Sequence, residues 1–288
     1  MKKNSEKFTA FILTNGRPDN VKTIKTLERC GYTGSYYLIV DDLDQTKDQY
    51  IKNFGDKVII FNKEEVAKTF DEGDNFKDKR AIIYARNATF EIAKNLGIKY
   101  FIQLDDDYTD FRYRFDNDLK YDSSTPAIRK LDKIWSLMLE FYIESGIHSL
   151  TMSQGGDFIG GKDGSLGGNI KTKRKAMNSF FCSTDREFQF IGRVNEDVNT
   201  YTRYASTGPI FLTLNQVDLS QSKTQSTTGG MSEMYLDSGT YVKSFYSVMY
   251  HPSSVAIKEM GVSNKRLHHY VNWRNTVPMI LNQKHKKV

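Results

Sequence analysis

Three consecutive aspartates, Asp105, Asp106 and Asp107, follow the apolar run YFIQL at residues 100–104. Adjacent carboxylates repel one another at neutral pH, so such a triplet does not stabilise a packed core. Carboxylates two residues apart at the end of a strand can instead hold a hard divalent cation such as Mg²⁺ or Mn²⁺, whose charge bridges to phosphate oxygens. The triplet therefore predicts a metal-dependent phosphate site, and a solvated acidic turn is the alternative interpretation.

The segments that would position this triplet alternate between strand and helix. Short runs rich in β-branched and aromatic residues predict strands covered on both faces, at residues 8–13, 36–40, 57–61 and 100–104. Apolar residues at helical spacing predict one helix that ends at Gly31 and another that ends at Gly97. This alternation predicts an α/β fold with a mainly parallel central sheet and helices on both faces. Ligands bind such sheets outside the carboxyl ends of the strands.

Polar and acidic residues collect in the loops that follow three of these strands. The loops read TNGRPDN at 14–20, DDLD at 41–44 and DDDYTD at 105–110. Neither a G-x-G-x-x-G nor a G-x-x-x-x-G-K-[ST] motif follows the first strand, which argues against a dehydrogenase or a P-loop enzyme. The ligand expected at this edge is therefore held by acidic loops rather than by a glycine-rich one.

Composition narrows the classes of protein further. The chain has 288 residues, a net charge of +6 and a sequence pI near 9.0. A basic balance fits either a solvated surface or a polyanionic partner such as nucleic acid or a nucleotide. No run approaches the ~18 apolar residues of a membrane span and no signal peptide is evident, so we expect no membrane association and a cytoplasmic location. Cys30 and Cys182 cannot form a disulfide framework, and we expect both to be core thiols.

The landmarks of the sequence resemble the GT-A class of nucleotide-sugar glycosyltransferases. The likeness lies in the order strand, Asp-rich turn, a helix carrying ARN at 85–87, an apolar strand and then Asp-x-Asp. Three further landmarks follow in that family's order: GGDFIGGKDGSLGG at 155–168, NED at 195–197, and the histidine of MYHPSS at 249–254. The resemblance implies a GT-A-like sheet with an acceptor-side subregion, and a UDP-sugar donor that binds with Mn²⁺ or Mg²⁺.

The same resemblance implies a task for each matching position. Asp105 and Asp107 would form the Asp-x-Asp pair, one facing the ribose or the metal and the other binding the metal, with Asp106 between them. The positions implied to hold the nucleobase, ribose or diphosphate are Thr14, Arg17, Asp41 and Arg86. An exposed position on a helix is the alternative for Arg86. His251 would complete the metal or diphosphate site, and the rival histidines are His148, His268 and His269.

An inverting sugar transfer also needs a base that takes the proton of the acceptor hydroxyl. Glu196 and Asp197 stand at the predicted start of a helix, where carboxylates also stabilise the helix dipole. By analogy with the acidic motif of the family, Asp197 is the predicted base and Glu196 would bind an acceptor or sugar hydroxyl. Capping of the helix is the alternative role for both.

A basic and aromatic segment, KTKRKAMNSFFCSTDREFQF at 171–190, is a candidate acceptor site. Lysine and arginine neutralise phosphates, and aromatic rings stack on exposed bases, so the combination suits a nucleic-acid groove. The residues predicted to contact nucleic acid are Lys171, Lys173, Arg174, Lys175, Phe180 and Phe181. A solvated loop followed by core phenylalanines is the alternative.

Residues 203–252 also resemble the TET-associated glycosyltransferases, through QSKTQSTTGG and GTYVKSFYSVM. The resemblance implies a phage-encoded enzyme that acts in the host cytoplasm and glycosylates hydroxymethylated pyrimidines in DNA. Two alternatives remain: a glycosyltransferase acting on a glycan, lipid-linked sugar or protein, and a non-catalytic nucleic-acid-binding protein with a transferase fold. The sequence indicates no oligomeric state.

We expect one catalytic domain, with a nucleotide-sugar half at about 8–110 and an acceptor half at about 111–275. Thr125 and Pro126 predict the start of a helix that ends at Gly146. The polar segment 219–235 lacks hydrophobic periodicity and is long for a turn, which is typical of lids and binding loops.

Overall fold

A nine-stranded mixed sheet forms the centre of the protein, as seen in a computed structural model that describes residues 8–74, 79–164, 172–221, 240–260 and 266–278. Its strands are β1 (Phe8–Leu13), β2 (Ser35–Asp41), β3 (Val58–Phe61), β4 (Tyr100–Asp105), β5 (Tyr108–Tyr113), β6 (Ser149–Gln154), β7 (Thr172–Lys173), β8 (Phe180–Ser183) and β9 (Phe211–Gln221). The strand order is β3-β2-β1-β4-β8-β6-β9-β5, and β7 pairs with β9. A separate antiparallel pair consists of β10 (Val255–Met260) and β11 (Arg266–Val271).

Seven α-helices are present among the described residues. They are α1 (Lys22–Arg29), α2 (Lys47–Phe54), α3 (Lys63–Ala67), α4 (Ile83–Asn95), α5 (Leu131–Ser145), α6 (Glu196–Ala205) and α7 (Thr240–Tyr250). Gly31 follows the end of α1 with φ of 80°, and a Cβ there would lie 2.4 Å from the carbonyl oxygen of Arg129. Only glycine fits this conformation and this close approach, which confirms the predicted stop.

The first four strands are parallel, in the positions that the apolar runs predict. Leu13 of β1 is in register with both Ile39 of β2 and Asp105 of β4. The carboxyl ends of β1, β2 and β4 therefore meet at one edge of the sheet. The loops after these strands begin side by side at that edge, which is where the acidic segments lie.

Apolar side chains fill a core on each face of the sheet. One core joins alternate residues of β1, such as Ala10 and Ile12, to α1 and to Trp135 of α5. The other core joins Phe11 and Leu13 to α4 and α6. The predicted α/β class, with a mainly parallel sheet and helices on both faces, is confirmed. Cys30 and Cys182 are both buried thiols, as predicted.

The helix predicted to begin at Thr125 begins at Leu131 instead. The Thr125 hydroxyl donates to the Tyr113 carbonyl, and Ile128 N donates to the Phe111 carbonyl at 2.8 Å. The segment before the helix thus pairs with β5, so its backbone is extended and cannot be helical. The end at Gly146, which is left-handed, is as predicted.

The predicted loop at 219–235 is only partly described, because β9 continues to Gln221 and residues 222–239 lie outside the described residues. None of the helices that the structure describes is long and apolar enough to cross a membrane.

Candidate active site

A pocket of about 370 Å³ lies at the carboxyl edge of β1, β2 and β4. The N-terminal turn of α6, which carries Glu196 and Asp197, closes it from the other half of the chain. The acidic residues in its lining are Asp41, Asp105, Asp106, Asp107, Glu196 and Asp197. The basic residues in its lining are Arg17, Lys63, Arg80, Arg86 and Lys243. The structure therefore brings the predicted donor-site residues and the predicted base together.

Arg86 of α4 connects two of the predicted carboxylates. Its Nη2 donates to Asp105 Oδ1 and its Nε donates to Glu196 Oε1, both at 3.1 Å. The side chain is 2% exposed, and its guanidinium lies 4.9 Å from the centre of the Phe180 ring. Arg86 is therefore not the exposed helix residue of the alternative interpretation. It is a buried cation shared by β4 and α6.

Among the described residues, the lining of the pocket carries six acidic and five basic side chains, and most of the acidic ones lie close together at the end of β4 and the start of α6. Burial raises the pKa of Asp105 to about 7, and Arg86 opposes this rise while the Asp107 and Glu196 carboxylates add to it. Burial also raises the pKa of Asp107, with a further rise from Asp106. The pKa of Glu196 rises through burial and the charge of Asp197, against the effect of Arg86. Such a cluster favours a bound cation.

Asp106 has a structural role of its own in the first loop. Its Oδ2 accepts from the Thr14 hydroxyl at 2.7 Å, and its Oδ1 accepts from Arg17 Nη1 at 2.9 Å. Tyr50 of α2 lies 2.7 Å from the Thr14 hydroxyl and accepts from the backbone N–H of Arg17 at 2.8 Å. Thr14, Arg17 and Asp106 are thus brought together as predicted, and their mutual bonds fix the loop after β1.

Asp41, at the end of β2, is held by two side-chain donors and one backbone donor. Asn15 Nδ2 lies 2.9 Å and Lys63 Nζ lies 3.2 Å from its Oδ2. The same carboxylate accepts at Oδ1 from the backbone N–H of Leu43 at 3.1 Å. This pairing orients Asp41 in the pocket wall and places the Lys63 ammonium beside it.

Glu196 and Asp197 differ in how they are bound. Asn195, just before α6, has φ of 56° and donates through Nδ2 to the Lys243 carbonyl at 2.7 Å, which fixes where the helix begins. Glu196 is held by Arg86, whereas Asp197 Oδ1 accepts from the backbone N–H of Val198 at 2.7 Å. Among the described residues, the other Asp197 oxygen accepts no hydrogen bond. Asp197 is therefore the carboxylate of the pair that is better placed to accept a proton.

The residues of the Asp-rich turn fit a divalent cation only if a bound ligand supplies further oxygen atoms. The described part of the chain contains no group of three or more His, Cys, Asp or Glu side chains arranged to hold a metal ion. Mg²⁺ is commonly bound by one or two carboxylates together with substrate phosphates, so the chemistry of Asp105 and Asp107 fits a cation held jointly with a diphosphate.

His251 does not reach this site. It lies just after α7, outside the residues that line the pocket. Burial lowers the pKa of its imidazole, and the nearby charge of Arg203 lowers it further. Arg203 stands about 10 Å along α6 from Glu196, given the 1.5 Å rise per helical residue. The structure therefore separates His251 from Asp105 and Asp107.

The residues of the basic segment predicted to contact nucleic acid have different surroundings in the fold. Lys171 lies outside the described residues, and Lys173 ends β7. Arg174 Nη2 donates to the Trp273 carbonyl at 2.8 Å, and its guanidinium lies 5.2 Å from the centre of that indole. Lys175 forms an ion pair with Asp157. Arg174 is thus a cation stacked on an aromatic ring, an arrangement that the sequence did not reveal.

Phe180 and Phe181 are 1% and 0% exposed and belong to the two cores. The Phe181 ring stacks on Phe8 at 5.3 Å, and the Phe180 ring packs edge-on to Phe190 at 5.0 Å. The prediction that these two side chains stack on a base is therefore wrong, because β8 is a central strand and is covered on both faces.

Three residues that the sequence analysis did not single out complete the site. Lys63 follows β3, and applying the strand-end rule to that loop would have found it. Asn87 exchanges two hydrogen bonds with the Phe190 backbone, at 3.0 and 2.8 Å, and so anchors α4 to the segment before α6. Lys243 of α7 lines the pocket, and no local signal marks it.

Solved structures with a comparable chain path are distant in sequence. TarS from S. aureus is 10% identical over 76% of this chain and 37% of that chain, with a TM-score of 0.44. Glucosyl-3-phosphoglycerate synthase from Mycobacterium tuberculosis, solved with Mg²⁺ and UDP, is 8% identical over 93% of this chain and 88% of that chain, with a TM-score of 0.47. GalNAc-T7, solved with UDP, GalNAc and Mn²⁺, is 12% identical over 76% of this chain and 44% of that chain, with a TM-score of 0.44. The chain thus spans less than half the length of TarS and GalNAc-T7.

A search of the curated proteins gives no match for this chain. The sequence model of the TET-associated glycosyltransferase family, in contrast, matches residues 8–230. That range covers most of the chain, including the whole Asp-rich turn and the acidic pair of α6. The protein therefore belongs to the TET-associated glycosyltransferase family.

Proposed function

We propose that the pocket binds a UDP-sugar with Mn²⁺ or Mg²⁺ and transfers the sugar to the hydroxyl of a hydroxymethylated pyrimidine in DNA. The observation that carries the proposal is that Asp105, Asp107 and Asp197 line one pocket. Arg86 joins the two sides of this pocket, because it bonds to Asp105 and to Glu196, the residue before Asp197. A donor-binding cluster and a base within one cavity are what a single displacement at a sugar carbon needs. The choice of UDP and of DNA follows the resemblance to the family.

Residues 8–110 would form the donor half of a single catalytic domain, and residues 111–275 the acceptor half. Asp105 and Asp107 would hold the cation beside the diphosphate. When bound, the cation would neutralise the charge that develops on the leaving diphosphate. Asp41, Thr14 and Arg17 would bind the nucleobase and ribose. Asp106, which is bonded to Thr14 and Arg17, would keep that loop in place.

Asp197 would act as the base. It would take the proton of the acceptor hydroxyl while the hydroxyl oxygen bonds to the anomeric carbon and the bond from that carbon to the diphosphate oxygen breaks. Direct attack of this kind inverts the configuration of the sugar. Glu196 is held by Arg86, so its role would be to orient a hydroxyl rather than to accept a proton.

The test is incubation of the protein with a panel of UDP-sugars, Mn²⁺ and DNA that carries hydroxymethylpyrimidine, followed by mass spectrometry of the nucleosides. We expect a mass gain of one sugar on the modified pyrimidine and none on DNA with unmodified bases. Preferential transfer to a glycan, lipid-linked sugar or protein would show that DNA is not the acceptor, and the first alternative would hold. DNA binding without transfer of any sugar would favour the non-catalytic alternative.

A further inference from the structure

The antiparallel pair of β10 and β11, here called the ribbon, has two chemically different faces. Its register pairs Ile257 with His269 and Lys258 with His268, so alternate residues face opposite sides. The inner face packs on α7, where the Ser244 hydroxyl donates to the Leu267 carbonyl at 3.4 Å. Burial, together with nearby positive groups, lowers the pKa of His269 to about 3. These groups are His268, Lys243 and Lys175.

The outer face of the ribbon is exposed, basic and aromatic. Its described side chains include Lys258, His268 and Tyr270, and none of them is acidic. Lys258 Nζ lies 3.7 Å from the centre of the Tyr270 ring, and Tyr270 is 47% exposed. Glu259 lies on the opposite side of its strand. The outer face therefore presents a cation and an aromatic ring to solvent.

The segment after the ribbon contacts the helix that carries the proposed base. Trp273, two residues after β11, stacks on Tyr201 with ring centres 5.7 Å apart. Tyr201 stands on α6 one turn after Asp197, whose charge raises the pKa of the Tyr201 hydroxyl in addition to the larger effect of burial. Arg174 covers the Trp273 ring and adds a second cation at this end. Trp273 thus connects the end of the ribbon to the helix that carries Asp197.

We infer that the ribbon is the DNA-docking element of this protein and that its outer face lies in the major groove of the acceptor duplex. The inference rests on the proposed function. A two-stranded ribbon has the width that the major groove admits. A hydroxymethyl group at pyrimidine C5 occupies the place of the thymine methyl, which lies in that groove. The groove that exposes the acceptor hydroxyl is therefore the groove that a two-stranded ribbon can enter.

Charge supports the same partner. A duplex carries one negative charge per about 1.7 Å of axis, and a lysine that contacts it releases a bound counterion. Lys258 is positioned on the outer face for such a contact, and Arg174 lies over the Trp273 ring just after β11. The chain also offers a matched control. Lys57 also places its ammonium over a tyrosine ring, 4.0 Å from the centre of the Tyr36 ring, but it lies next to β3, an edge strand of the main sheet.

The test measures binding of the full-length protein to a labelled duplex containing hydroxymethylcytosine, by fluorescence anisotropy over a series of salt concentrations. We expect Lys258→Ala to flatten the slope of log K against log salt by about 0.9, the value for one phosphate contact. Lys57→Ala should leave the slope unchanged. Hydrolysis of the UDP-sugar to water should be the same in both variants and in the wild type, because neither lysine lines the donor pocket.

Two results would overturn the ribbon while leaving the proposed function intact. One is a slope of log K against log salt that is the same in Lys258→Ala as in the wild type, while the wild type transfers sugar to DNA. The other is equal binding of the wild type to the duplex and to a single strand of the same sequence, since a single strand has no major groove. A wild type that glycosylates no modified DNA would instead refute the DNA acceptor, and the ribbon's role with it. The binding measurements thus test the ribbon, and sugar transfer by the wild type tests the DNA acceptor.

Discussion

Replacing Arg86 with methionine removes a buried guanidinium and keeps a long apolar side chain. The change leaves Asp105 and Glu196 without the cation that bonds to each of them at 3.1 Å. Breaking a buried ion pair by removing one partner costs about 3–5 kcal/mol. Since Arg86 is 2% exposed, solvent cannot take the place of the guanidinium, and we expect the free energy of unfolding to fall by that amount. This is a large share of the roughly 5–15 kcal/mol by which a domain is stable.

Urea denaturation of the wild type and Arg86→Met, followed by tryptophan fluorescence, measures the loss. Arg203→Met on the exposed part of α6 is the control, and it should change stability by no more than about 0.5 kcal/mol. Adding Glu196→Gln to Arg86→Met should recover part of the loss, because one of the two unpaired carboxylates is then neutral. A loss below about 1 kcal/mol for Arg86→Met, or no recovery in the double variant, would refute the view of Arg86 as a shared buried cation.

Three further predictions concern the metal, the base and the ribbon. Asp107→Asn should abolish Mn²⁺-dependent binding of UDP in calorimetry, whereas Asp110→Asn, which lies outside the pocket, should not; equal affinities in both would contradict the metal assignment. Asp197→Asn should lower kcat by a factor on the order of 10² to 10⁴ at unchanged UDP affinity, and unfolding instead would indicate a purely capping role. The pKa of His269 is about 3 in the folded protein and about 6.5 when unfolded, so its contribution to stability is present above pH 6.5 and is lost as the pH falls towards 3. Between pH 7 and pH 4 the wild type should therefore lose more unfolding free energy than His269→Gln, as measured by urea titration at each pH.

The strand-end rule explains why much of the site could be predicted from the sequence. Apolar runs locate parallel strands, and parallel strands of this type place their following loops at one edge. Thr14, Asp41 and Asp105 follow three such runs, so their convergence needed no knowledge of side-chain positions. The start of α6 was predictable from a different local signal, since acidic residues are favoured in the first turn of a helix.

Contacts between distant segments could not be predicted in this way. The bonds from Arg86 to Asp105 and to Glu196 depend on how α6 packs against the sheet, and no spacing in the sequence encodes that packing. Phe180 and Phe181 were misassigned because a run of aromatic residues after basic ones is typical both of a binding groove and of a central strand. The separation of His251 from the Asp-rich turn depends on the placement of α7, which packs on α6, β10 and β11.

The order of the strands also determines when the protein can fold during synthesis. One side of β4 pairs with β1, but the other side pairs with β8, which comes much later in the chain. While the ribosome adds the intervening residues, the backbone donors and acceptors on that side of β4 remain unpaired, and open strand edges promote aggregation. A fragment that ends near residue 110 would expose this edge permanently. We therefore expect the nascent chain to be prone to aggregation until residues 180–183 have emerged, and separate expression of the donor half to give insoluble protein.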